Sequence, residues 1–356
     1  MGIKKTKLRL IDLFAGCGGL SYGFKEDGYE VVVGIDNWKD SLETFKYNHP
    51  GAKTGLEDLS VIEPALFAKK YKIKRGEINL IVGGPPCQGF SISGKRNVQD
   101  PRNKLYTSFV KFVDYFKPEV FVLENVPNLI SMAGGLIKDK IVKDFEDAGY
   151  KVTFKILLAS AFGVPQNRRR VFFVGFKNGH EFRFPDDTHG NLMFLEKFVT
   201  TKDAISDLSE QTVADGASYE IKPQSSYQTW ARKESGGVYN HEIIEHTEKT
   251  KQIISMVPDG GNYKDLPKSL WSTRKVNIAW TRMNSKKPCF TIDTGHNHHF
   301  HYKYNRVPTA RESARIQSFP DKFIFKGNKA SQLKQIGNAV PPLLALKIAE
   351  SIRLQY

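Results

Sequence analysis

"LRLIDLFAGCGGLSYG", residues 8–23, begins as an apolar run and ends in glycines. The segment from Leu8 to Ala15 is nearly all apolar, with Asp12 inside it, which is the pattern of a strand covered on both faces. Gly16, Gly18 and Gly19 then allow a sharp turn and a close backbone approach to a ligand, and the following residues read as a helix with free N–H groups at its start. The unit repeats. "EVVVGID" (30–36), "INLIVGG" (78–84), "EVFVLENV" (119–126) and "RRVFFVGF" (169–176) are further buried runs, separated by stretches of helical period such as "SLETFKYN" (41–48) and "KLYTSFVKFVDYF" (104–116). This alternation predicts an α/β fold with a doubly wound, mostly parallel sheet. Ligands in such sheets lie beyond the carboxyl ends of the strands, and "GCGG", "PPCQG" and "ENVPN" all fall at strand ends.

The alternation stops after about residue 180, with a boundary near Pro185, and a more irregular span follows. The expected division is residues 1–180 plus 331–356 as one domain and 181–330 as a second. Regular pattern returns at "TARESARIQSF" (309–319), with Thr309 as N-cap and Glu312 three residues on. It returns again at "AVPPLLALKIAESIRLQ" (339–355), whose prolines suit a first turn and whose apolar face is expected to pack on the first domain.

Among 356 residues, 40% are hydrophobic and 26% charged, the balance of a globular chain, and no apolar stretch approaches the roughly 20 residues of a membrane span. The first apolar segment contains Asp12, which argues against a secretory signal. Three cysteines, at 17, 87 and 289, have no paired spacing and point to a reducing compartment; the chain is expected in the cytoplasm, away from membranes. The net charge is +15, concentrated in residues 264–329, which carry 14 basic and 4 acidic side chains. That bias suits a polyanion such as nucleic acid, and a solvated lysine-rich surface would look the same.

At the cofactor end, Gly16-x-Gly18-x-x-Ser21 misses the third glycine of a dinucleotide fingerprint, but Asp36 closes the second strand twenty residues after Gly16. An acid there would accept ribose hydroxyls, and Asp58, a second acid at the next strand's end, could reach an adenine amino group. In "GGPPCQGFSISG" (83–94), Pro85 and Pro86 stiffen a loop carrying Cys87, and the glycines let backbone wrap whatever the sulfur touches. Cys87 is compatible with an inert thiol in a tight turn and with a nucleophile. Glu124 is compatible with a carboxylate satisfied by Asn125 and backbone, and with a proton donor of raised pKa. In "PQNRRRVFF" (165–173), Gln166, Arg168 and Arg170 alternate as a strand begins and are expected on one face.

"DLFAGCGG", "GGPPCQGFS", "ENVPN", "QNRRR", "RESARIQSFPD" and "QIGNAVPP" succeed one another in the order seen in C5-cytosine DNA methyltransferases, and the chain resembles that family from residue 8 to residue 353. The resemblance implies the fold of the S-adenosylmethionine-dependent methyltransferases, a target-recognition region in the irregular span, and a base flipped out of its duplex. It makes Cys87 the nucleophile toward cytosine C6, Glu124 the partner of N3 and the exocyclic amine, Arg170 with Arg168 the holder of O2 and the adjacent phosphate, and Asn125 the tie between thiol loop and glutamate strand. It sets S-adenosyl-L-methionine against Phe14, Gly16 and Gly18, with Asp36 on the ribose and Asp58 near adenine. Pro86, Leu105 and Asn338 complete that pocket. Asp36 stands where the family usually has Glu. Arg274 and Arg282 are candidates to read guanine edges, with phosphate contact as the alternative, and Gln88 and Ser91 join them as candidate DNA contacts.

By the same resemblance the chain is expected to be a monomeric modification enzyme of a type II restriction–modification system, nucleoid-associated, acting on double-stranded DNA without metal. A cognate restriction endonuclease would share its site without stable association. Competing readings are a tRNA methyltransferase, which "KPCFTIDTG" (287–295) matches only at its start, and a catalytically silent DNA-binding regulator on the same fold. A nicotinamide dehydrogenase would leave the thiol–acid pair without a purpose. "HNHHFH" (296–301) lacks the spacing and cysteine partners of a zinc finger, and "HEIIEH" (241–246) has Glu where a zinc-protease helix needs its second His.

Overall fold

Strands form where the apolar runs lie: β1 (Arg9–Leu13), β2 (Glu30–Asp36), β4 (Leu80–Gly83), β5 (Val120–Asn125) and β7 (Arg169–Phe176), joined by β3 (Lys53–Leu56) and β6 (Lys151–Leu158), which hydropathy did not signal. The structure, a computed structural model, describes residues 7–86, 104–273, 280–294 and 299–356. The seven strands line up as β3-β2-β1-β4-β5-β7-β6. β1 to β5 are mutually parallel, so the sheet is mostly parallel, as expected. β7 corrects one detail: it runs antiparallel to both β5 and β6. The physical reason is the connection. Residues 159–168 are too few for a crossover, which takes roughly a dozen residues or more, so β7 must return against β6.

Helices α1 (Gly19–Glu26), α2 (Lys39–Asn48), α3 (Pro64–Tyr71), α4 (Lys104–Phe116) and α5 (Leu136–Asp147) connect these strands. The helical period of α4 places Phe109, Phe112 and Phe116 in the core, where they join the fully buried Phe67, Phe121 and Phe145. Burial of a large aromatic contributes roughly 2–3 kcal/mol each, and this cluster fixes the sheet beneath its rim.

By packing, the chain divides into two units. The first comprises the described residues up to Leu158 with Arg169–Asp186 and Ala345–Tyr356; the second comprises Ala159–Arg168 and Asp187–Leu344. In the first unit the end of the last helix meets the neighbourhood of α1: Tyr29 Oη donates to Ala349 O at 3.3 Å, and Arg353 Nε lies 2.8 Å from Asp27 Oδ2.

The second unit contains α6 (Thr201–Ile205), α7 (Ser226–Arg232), α8 (Glu248–Ser255), α9 (Ala310–Ile316), α10 (Lys329–Asn338), the start of α11 (Pro342–Gln355), and a short parallel pair, β8 (Thr281–Arg282) with β9 (His299–Phe300). Thr309 and Glu312 form the expected capping box on α9. Little regular structure surrounds these pieces, and buried ion pairs help hold them. Arg306 grips Glu312 through two bonds of 2.8 and 2.7 Å. Arg315 grips Asp321 at 2.9 and 2.6 Å and also reaches Asp207. The basic surplus of residues 264–329 is therefore partly internal, because Arg282, Arg306, Arg311 and Arg315 are all buried. Exposed positive charge there comes from lysines such as Lys264, Lys268, Lys286, Lys287 and Lys303. Among the described residues, no helix is long and apolar enough to cross a membrane.

Candidate active site

On the rim of the first unit, β1 ends at Leu13 and the chain turns through left-handed backbone at Phe14 (φ 60°), Gly16 (φ 55°) and Gly18 (φ 92°). Phe14 adopts a conformation that costs a non-glycine residue on the order of 1 kcal/mol or more, so its surroundings must enforce it. Asp36, at the end of β2, supplies part of that constraint: one oxygen accepts Gly16 N at 2.8 Å and the other accepts Trp38 N at 2.9 Å. Burial raises the Asp36 pKa above the usual carboxylate value, and these N–H donors oppose the rise. Among the described residues, a Cβ on Gly16 would meet nothing within 4 Å, whereas a Cβ on Gly18 would fall 2.4 Å from the His49 ring.

Beneath the loop lies a group that the motifs do not single out. Asp12 is 1% exposed, and burial pushes its carboxyl up to about 7, with a bond from Ser21 and the nearby Asp36 charge acting in opposite directions. Ser21 Oγ also meets His49 Nε2 at 3.3 Å, and burial lowers the pKa of that histidine to about 3, keeping it neutral. The available signal was an acid inside an otherwise apolar run. Asp58 is exposed beyond β3 and accepts Ser60 N at 2.8 Å. Leu105 is half-buried on α4, Pro86 is exposed, and Asn338 closes α10 in the second unit.

The catalytic candidates gather at the ends of β4 and β5. Gly83 is required because a Cβ there would fall 2.2 Å from Leu13 O, and a Cβ on Gly84 would fall 2.8 Å from Glu124 Oε2. Glu124 Oε1 lies 2.9 Å from Arg170 Nε, the two side chains being 12% and 15% exposed. Asn125 Nδ2 donates to Pro85 O at 2.9 Å, while its Oδ1 accepts Val126 N. The structure thus brings together Glu124, Asn125, Arg170 and the loop residue two positions before Cys87. Cys87, Gln88, Ser91 and Arg274 lie outside the described residues.

Two arginines of the second unit bond to backbone. Arg168 stands one residue before β7; it is 1% exposed in the second unit and donates to Ile292 O at 3.0 Å and Gly337 O at 2.8 Å. Gln166 is likewise buried, accepting Ile292 N through Oε1 at 3.0 Å. Arg282, expected to read a base, is buried and donates to Val257 O, His301 O, Tyr304 O, Ile254 O and Asn305 Oδ1. A guanidinium anchored by that many acceptors has no donor to aim at a base edge. Three described histidines of the two metal-like stretches also hold the chain: His241 meets Ser209 O and Thr309 Oγ1, His246 accepts Val307 N, and His301 Nδ1 accepts the N–H groups of Lys303 and Tyr304.

A doubly wound, mostly parallel seven-stranded sheet with a glycine-rich first turn and an acid closing its second strand is the fold of the S-adenosylmethionine-dependent methyltransferases. Comparison with known proteins narrows this. The family model described as C-5 cytosine-specific DNA methylase matches residues 8–354, and the chain belongs to that family. It is 39% identical to the type II methyltransferase M.DdeI of Desulfomicrobium norvegicum, over 97% of this chain and 88% of that protein. It is 35% identical to the type II methyltransferase M1.HphI of Haemophilus parahaemolyticus, over 97% and 86%. Among solved structures, a protein assigned as a DNA modification methyltransferase encoded within an E. coli prophage aligns with a TM-score of 0.79 at 26% identity, covering 98% of this chain and 99% of that one.

Proposed function

We propose that this protein methylates C5 of a flipped-out cytosine within a specific double-stranded DNA sequence, as the modification enzyme of a type II restriction–modification system. The observation that carries the reading is the Glu124–Arg170 pair at the end of β5, with Asn125 anchoring the loop that leads to Cys87. Cytosine C5 is a poor nucleophile while the ring is conjugated. Addition of the Cys87 thiolate to C6 forms a C–S bond and gives C5 enamine character, so that C5 accepts a methyl group. Glu124 holds N3 and the exocyclic amine as charge develops there, and Arg170 keeps that carboxylate oriented while facing O2. Loss of the C5 proton then breaks the C–S bond and restores the ring. Only a few per cent of an ordinary thiol is ionised at neutral pH, and a neighbouring guanidinium raises that share.

Family membership implies S-adenosylmethionine as methyl donor. The residues present fit it: a Gly16 whose Cβ position is clear of the described residues, a carboxylate at Asp36 whose oxygens keep lone pairs for ribose hydroxyls, and a half-buried Phe14 and Leu105 for apolar contact. When bound, it supplies an electrophilic sulfonium methyl group. Phe14, Gly16, Gly18, Asp36 and Asp58 would hold it, with Pro86, Leu105 and Asn338. The second unit would recognise the target, its exposed lysines binding phosphates by counterion release. The chain would act in the cytoplasm on chromosomal DNA. Labelled methyl transfer to DNA, measured beside total tRNA, tests the substrate class; conversion sequencing of DNA from expressing cells reads the product and its sequence context. Methyl incorporated into tRNA and none into DNA would overturn the proposal.

A further inference from the structure

Arg168 and Gln317 converge on the end of α10, the turn that carries Asn338. The last carbonyls of a helix have no partner within it and must be satisfied from outside. Here the partners are side chains. Arg168 Nη2 donates to Gly337 O at 2.8 Å, and Gln317 Nε2 donates to Ile336 O at 3.2 Å and Ala339 O at 2.6 Å. The carbonyls on both sides of Asn338 are thereby taken. A guanidinium suits this position, since the C-terminal end of a helix carries partial negative charge and the planar fork addresses two acceptors at once. The second arm of the fork, Nη1, holds Ile292 O at 3.0 Å, and Gln166 takes the N–H of the same residue while bonding Gln317. Gly337 closes the arrangement, because a Cβ there would fall 2.3 Å from Asp293 O. All of these side chains are buried. Two residues beyond Arg168 the chain presents Arg170 to Glu124.

We infer that Arg168 is a positioning residue: with Gln317 it clamps the backbone around Asn338 and so serves the cofactor without touching it. The inference rests on the reading of Asn338 as a cofactor-binding residue.

The test is calorimetric binding of S-adenosylhomocysteine to the full chain without DNA, beside thermal melting without ligand. Arg168→Lys keeps the charge and loses the fork, and Gln317→Met breaks the clamp from its other side. Each is expected to weaken binding about tenfold or more, the scale of a small misplacement transmitted to a site. Asn338→Ala is expected to weaken it too, and the R168K/N338A double variant to lose less than the sum, since both act through one contact. Arg282→Lys, at a buried arginine elsewhere in the same unit, is expected to lower the melting temperature and leave affinity unchanged. Unchanged affinity in R168K and Q317M while N338A is weakened, or additive losses in the double variant, overturns the clamp alone. Wild-type affinity in N338A overturns the cofactor role of Asn338 and the inference with it.

Discussion

Glu124 and Arg170 in the first unit are 12% and 15% exposed and meet at one nitrogen, whereas Arg315, Asp207 and Asp321 in the second unit are fully buried and joined by several bonds. The same residue types do opposite work. The Glu124–Arg170 pair keeps a face toward solvent; the Arg315 cluster is enclosed by protein and helps hold a unit in which α6 to α10 supply little regular structure. Exposure, rather than residue type, separates the two clusters.

The contrast can be broken at several points. Cys87→Ser is expected to reduce methyl transfer by at least about four orders of magnitude, as for loss of a covalent nucleophile, with DNA binding intact in a mobility-shift assay. Normal turnover in that variant removes the thiol from the mechanism. Glu312→Gln strips a partner from the buried Arg306 and is expected to cost about 3–5 kcal/mol in urea unfolding. Burial alone would raise the Glu312 carboxyl, but Arg306 holds it well below the usual range. Its stabilisation is therefore present above the ordinary glutamate pKa and lost as pH falls through and below it, so the gap between wild type and variant must narrow at acid pH. Glu124→Gln is expected to lower kcat by roughly 10²–10³ and leave melting nearly unchanged, the reverse of Glu312→Gln. A matching loss of stability would place Glu124 with the structural pairs.

Smaller effects sharpen the same distinction. With a folded-state pKa of about 7, Asp12 stays protonated in the native protein while the unfolded chain ionises from about 4 upward. The stabilisation it gives is full below the unfolded value and lost as pH rises to about 7. Asp12→Asn should gain on wild type by on the order of 2 kcal/mol between pH 5 and pH 7, measured by urea unfolding at both. A constant difference would mean that Asp12 is ionised throughout.

Legibility followed burial. β1, β2, β4, β5 and β7 were readable because each is an apolar run, and Thr309 with Glu312 announced the start of α9. β3 is only Lys53–Leu56, with no run to detect, and β6 is an edge strand whose Phe154, Lys155 and Ile156 are exposed, which blurs its alternation. At the site, the glycines, Asp36, Glu124 and Asn125 stood out as rigid or charged residues at strand ends. Arg168 and Arg282 could not be assigned from spacing, since their acceptors are carbonyls far away in the chain, which any sequence supplies. Gln317 was unreadable for the same reason.

The inclusion of residues 345–356 in the first unit has a consequence for how the protein is made. A ribosome releases the whole of the second unit before the segment that completes the first, so β1 to β7 wait, with the surface beneath Ala349 uncovered, until residues 345–356 have emerged. Folding order cannot simply follow chain order here. Slowing elongation over the middle of the message would lengthen that wait and increase capture of the nascent chain by chaperones.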